Sequence, residues 1–230
     1  MTTDSMTSRA QDAKPIGYWQ KMVNDWSADK EAFQLSWGKL MMWIFLLSDT
    51  FIFSIFLISY MNVRMSTTDE WPLASEVFAL HVGSANIPLL LIAIMTFILI
   101  TSSGTMAMAV NAAYSRNKKL TFWLMVTTAL LGASFVGMQA FEWTKLIVEE
   151  GVRPWGNPMG AAQFGSSFFM ITGFHGMHVT GGVIYLAIVA TKVRLGHYDQ
   201  KGFQIVEITG LYWHFVDLVW VFIFAFFYLW

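Results

Sequence analysis

The sequence predicts an all-α, polytopic membrane bundle of five transmembrane helices, and three observations carry that reading. Apolar residues make up 56% of the 230-residue chain and charged residues only 13%, against about 25% charged in a soluble domain. Five stretches are long and apolar enough to cross a hydrocarbon core about 30 Å thick, which takes about 20 helical residues. None of the five prolines interrupts a stretch. A formal charge of -1 offers no basic field to hold phosphates, so a nucleic-acid partner is excluded. The absence of cysteine removes disulfides, iron–sulfur clusters, thiolate zinc sites and two-cysteine copper sites.

In chain order, residues 1–38 read as a cytoplasmic polar tail that ends in an amphipathic segment. Trp19, Met22, Val23 and Trp26 recur at helical spacing, with Phe33 and Trp37 further on. Both a helix lying in the membrane interface and a loop packed on the bundle fit this pattern. The tail has no short apolar core of a cleavable signal, so the first span is expected to act as an uncleaved insertion signal. Residues 39–230 form the bundle, with spans at 40–60, 88–110, 121–139, 164–190 and 208–230. Pro88 sits where a first helical turn tolerates proline. With the N-terminus inside, eleven Lys and Arg face the cytoplasm and three face outward. The positive-inside rule then places the N-terminus in the cytoplasm and Trp230 outside. The connections at Trp71-Pro72 and Pro154–Pro158 read as outer-face turns with aromatic anchors.

An ionisable group at membrane depth costs several kcal/mol unless it is neutral or paired, so each one marks an inward face. Asp49, His175, His178, His214 and Asp217 come from three spans and fall near mid-bilayer, within about three helical turns of one another. They are predicted to satisfy each other. His175 and His178 share a face, as do His214 and Asp217. A proton path, a metal or haem site, and an interhelical knot that fixes packing all fit such a cluster. Counting ligands narrows the choice: His81 and His197 fall in loops. Three histidines at depth are too few for a reaction centre of two haems and a copper, which needs six. One bis-histidine haem, on His214 and one of the fourth-span pair, stays arithmetically open. A carboxylate-bridged di-iron site would want paired Glu-x-x-His motifs, and there are none. Gly173, Gly176 and Thr180 leave one side of the fourth span nearly bare, which predicts close approach of a helix or a lipid chain. The fifth span holds ten aromatics in residues 207–230 and suits lipid or a bulky protein partner.

Phe164-Gly165-Ser166-Ser167-Phe168-Phe169, followed by Thr172-Gly173-Phe174-His175-Gly176-Met177-His178-Val179, resembles the histidine–glycine signature helix of subunit III of haem–copper oxidases. Tyr212-Trp213-His214-Phe215-Val216-Asp217-Leu218-Val219-Trp220 is similar to that family's terminal helix. Leu131–Phe135 with Gln139 and Glu142-Trp143, Thr101–Gly104, and Ser48-Asp49 match in the same order, so the resemblance covers all five spans. It implies an accessory, non-redox subunit of a terminal respiratory oxidase in the bacterial cytoplasmic (inner) membrane. Such a subunit carries no cofactor of its own and packs with the catalytic subunit I and with subunit II, which hold the haems and copper. In that family oxygen is reduced to water and protons are pumped, while subunit III binds phospholipid and supports oxygen access and proton uptake. Glu142, His175, His178, His214 and Asp217 match family motif positions, and with Asp49 they are expected to form a buried polar cluster. Asp49 stands where the family commonly has Glu, and the chain matches the five-helix form rather than the seven-helix one. Alternatives to be separated from this reading are an accessory subunit of a nitric oxide reductase system and a small histidine-dependent membrane metalloenzyme.

Overall fold

The computed structural model describes residues 36–82, 85–199 and 202–229. The amphipathic segment expected within residues 1–35 lies outside them. Five long helices dominate: α1 (Trp37–Ser66), α2 (Leu90–Tyr114), α3 (Lys118–Val148), α4 (Ala162–Arg194) and α5 (Gln204–Phe224), the last continued by a π-helical turn, Ala225–Leu229. Counting that turn with α5, their 25 to 33 residues span about 38 to 50 Å. All five are long and apolar enough to cross a membrane. Each runs past the predicted apolar stretch, because polar residues such as Arg64, Lys145 and Arg194 continue the helices beyond their hydrophobic part.

The chain divides into Met1–Leu40 and Met41–Trp230. Of the first unit, the described part is Ser36 and the opening turn of α1, where the Ser36 hydroxyl faces the Lys39 N–H at 3.4 Å. In the second unit α2 packs on α3 and α5, and α4 packs on α3 and α5. These four helices supply most of the core, to which α1 adds Phe53, Leu57 and Tyr60. From Met41 onward α1 is exposed on most of its surface, and its buried residues form one stripe, Leu46, Asp49, Phe53, Leu57 and Tyr60. The three- and four-residue steps of that stripe keep one seam turned toward the other helices.

Helix ends follow local chemistry. Arg116 (φ 53) turns left-handed after α2. Its N–H then reaches Ala113 C=O and that of Asn117 reaches Ala112 C=O, which is a Schellman stop. The Asn117 side chain next accepts from Leu120 N–H and caps α3. Gly196 (φ 81) ends α4 in the same manner, at a conformation open to glycine without strain.

The α1–α2 connection differs from the simple turn expected. It holds a helical turn, Ala74–Val77, and a two-stranded antiparallel hairpin, β1 (Ala79–Val82) with β2 (Ala85–Pro88). Pro88 ends β2 rather than opening the helix, and α2 begins after Leu89 (φ 59). This connection meets the α3–α4 loop, where Ala161 N–H donates to Glu70 C=O at 3.0 Å. At the opposite end Lys118 and Asp199 pair at 2.9 Å on the surface, a contact worth at most about 1 kcal/mol.

Candidate functional site: polar groups between the helices

The heart of the bundle is a clamp on one tryptophan. Trp213 of α5 is fully buried and lies between Gly132 of α3 and Gly182 of α4. A Cβ added at either glycine would collide with its ring. Its indole N–H donates to the Ser102 hydroxyl of α2 at 2.9 Å, and the Ser102 O–H donates in turn to Leu99 C=O. Trp220, two turns on, donates to Thr96 Oγ1 at 3.0 Å. Both of these Trp N–H groups therefore find an acceptor on α2, the usual state of a buried indole.

Asp49 of α1 meets His178 of α4, with Oδ2 and Nε2 3.1 Å apart and both side chains nearly buried. The other ring nitrogen, Nδ1, lies 2.8 Å from Phe174 C=O. A carbonyl only accepts, so Nδ1 carries a hydrogen. Nε2 and Oδ2 must then share one more proton, as imidazolium with carboxylate or as imidazole with carboxylic acid. Without it two lone pairs would face each other. Phe53, Phe174 and His178 pack around the contact with centroids 4.7 to 5.5 Å apart, and Tyr212 O–H donates to His178 C=O at 2.9 Å.

Glu142 of α3 is buried. It accepts from Gln139 Nε2 at 2.8 Å and lies 3.4 Å from Tyr228 O–H in the π turn. His214 faces α2, its Nδ1 2.6 Å from Ser103 Oγ. His175 is enclosed by aromatic rings, stacked on Trp220 at 5.4 Å and edge-on to Phe135 at 6.0 Å. Among the described residues, neither His175 nitrogen and neither Asp217 oxygen meets a hydrogen-bond partner within 3.5 Å.

The groups predicted to satisfy one another are thus separate contacts. Asp49 and His178 come together. His214 turns to Ser103 instead of Asp217, because α2 supplies a hydroxyl beside it. Glu142 has its own partners, and His175 is held by rings. Of the small residues, Gly173 touches Trp143 of α3, with its Cβ position 3.1 Å from the ring. A Cβ at Gly176 would meet nothing within 4 Å, and Thr180 is exposed, its hydroxyl bonded to Gly176 C=O. Among the described residues, no helix closes on that part of α4. Tyr228, Ser102 and Thr96 were not singled out as partners by the sequence reading. A buried Trp or Glu needs a partner, and hydroxyls on the neighbouring helix were the available signal. Among the described residues no group of three or more His, Cys, Asp or Glu converges as a metal site.

Five apolar helices with polar side chains turned inward define an integral membrane protein of the helical-bundle class. The model of the cytochrome c oxidase subunit III family matches residues 18–230, and the chain belongs to that family. It is 32% identical over 188 residues to the probable quinol oxidase subunit 3 of Staphylococcus epidermidis, covering 82% of this chain and 86% of the relative. It is 31% identical to the cytochrome c oxidase subunit 3 of Alkalihalophilus pseudofirmus, over 81% of this chain and 84% of the relative.

Proposed function

We propose that the chain is a non-redox accessory subunit of a haem–copper terminal oxidase in a bacterial cytoplasmic membrane. It packs with the catalytic subunit I and with subunit II, which carry the haems and copper. The observation that carries the reading is the match of the family model across the whole bundle, with the matching motif residues Asp49, Glu142, His175 and Asp217 all buried. The side chains fit a scaffold. Trp213 and Trp220 fix α5 against α2, and the Asp49–His178 contact fastens α1 to α4.

Within that assignment the chain's work is to brace its larger neighbour, bind phospholipid on apolar surface such as the groove between α1 and α4, and support oxygen access and proton uptake. The one-proton contact of Asp49 with His178 and the buried Glu142 and Asp217 are the groups able to hold protons at membrane depth. The N-terminus lies on the cytoplasmic side, as the distribution of Lys and Arg requires.

Extraction in mild detergent with a tag on this chain tests the reading. A large haem-containing polypeptide with oxygen-reducing activity should accompany it, and the isolated chain should show no Soret band. Haem in stoichiometric amount in the chain alone, or a nitric oxide reductase as its partner, would overturn it.

A further inference from the structure

His214 leaves a loose end. Its Nδ1 meets Ser103 at 2.6 Å, but Nε2 is engaged by no group among the described residues and is not enclosed by the chain. Counted from Gln204, His214 lies about 15 Å along α5 and within about 5 Å of the middle of the α5–π-turn segment. At that depth neither water nor an acyl chain offers a hydrogen bond, and a bare imidazole nitrogen costs about 1 to 3 kcal/mol. The surroundings are apolar and exposed: Ile100 of α2 and Leu218, Val221 and Phe222 of α5 are each 43 to 56% exposed. Leu218, one turn from His214, also lines a groove of about 310 Å³ between α1 and α5, shared with Thr50, Ser54, Ile58 and Phe222. An open apolar groove thus runs on into an unsatisfied, accessible imidazole nitrogen along one strip of α5.

We propose that this strip is the face on which the chain docks a transmembrane helix of its partner subunit, and that this helix presents a hydrogen-bonding group to His214 Nε2. Lipid fills an apolar groove equally well but leaves the nitrogen unpaired, so the polar atom selects a protein occupant. The inference rests on the accessory-subunit reading above.

The test uses the complex in its own membrane. A photoreactive benzoylphenylalanine is placed at Leu218, and a control at Leu130, which is 65% exposed on α3. Irradiation should join the Leu218 probe to a large membrane polypeptide several-fold more than the Leu130 probe. His214→Phe, which keeps a ring but no bond, should lower recovery of that polypeptide about tenfold, the equivalent of one lost hydrogen bond. His214→Gln should restore most of it. Adducts with lipid alone, with a second copy of this chain, or equally from Leu130 would overturn the proposal. So would full recovery with His214→Phe while the chain itself stays folded. If the oxidase accompanies the chain but cross-links elsewhere, this face is wrong and the accessory reading stands. If no oxidase accompanies it, the accessory reading itself fails.

Discussion

Removing the Asp49–His178 contact should loosen α1 from the rest of the bundle. Their atoms are 3.1 Å apart, with 13% and 7% of the two side chains exposed, and the bond carries a proton that one of them must hold. Charge-assisted hydrogen bonds contribute about 1.5 to 3 kcal/mol in soluble proteins. Interhelical bonds in membranes average about 0.6 kcal/mol and reach about 1.7. Burial and the shared proton place this contact at the upper end, giving a coupling energy of about 1.5 kcal/mol. Asp49→Ala alone should cost more, about 2 to 3 kcal/mol, because His178 Nε2 is left bare. The cycle is Asp49→Ala, His178→Phe and the double variant, where Phe keeps a ring against Phe53 and Phe174. Detergent-titrated unfolding of the isolated chain in micelles reads the four free energies. The cysteine-free sequence also allows one thiol label on α1 and another on α3 to report whether α1 swings away. A coupling below about 0.3 kcal/mol, within ordinary additivity error, would refute the claim that this contact fastens α1.

Gly132→Ala should destabilise the chain by about 1 to 3 kcal/mol, because the new methyl meets Trp213 and Val183 in a filled core. Gly176→Ala, with open space around it, should stabilise the isolated chain by up to about 1 kcal/mol through helix propensity; both follow from one unfolding series. If Gly176→Ala lowers recovery of the complex at unchanged chain stability, that face meets a partner. Trp220→Phe should cost about 1 to 2 kcal/mol, as the bond to Thr96 is lost and the site is left slightly underfilled. Asp217→Asn keeps the shape of a buried side chain whose oxygens have no partner within 3.5 Å among the described residues, so unfolding should shift by less than about 1 kcal/mol, and slowed oxygen consumption in the complex would then report a proton role. Unchanged turnover would exclude one.

Much of the fold was legible because bilayer thickness imposes a length on apolar stretches that no soluble helix must obey. The five spans follow from that alone. Their ends did not, and α3 shows why. The predicted stretch stopped at Gln139 because Glu142 and Lys145 look like loop residues, yet the helix runs to Val148 with Glu142 buried against Gln139 and Tyr228. Gln139 is a local partner one turn back, but the contact with Tyr228, 86 positions away, leaves no local trace. The hairpin was invisible for another reason, since four-residue strands are too short to show alternation. At the site, depth and spacing located the inward polar residues but not their partners. Helical depth says how far along the axis a group lies; the rotation of each helix decides whom it meets. Ser102 and Ser103 read as small residues at the inner end of the second span and Thr96 carried no signal; only the facing of α2 toward α5 makes them partners for Trp213, His214 and Trp220.

The π turn after α5 has a consequence for how the protein is made. There Phe227 lies 4.0 Å from the ring of Tyr60 on α1, and Tyr228 reaches Glu142 on α3. Tyr228 follows Glu142 by 86 residues, so until the end of the chain is made the carboxyl has Gln139, one turn back on its own helix, as its partner. Closure comes last, when a few late aromatics reach back and bolt together helices that entered the bilayer first.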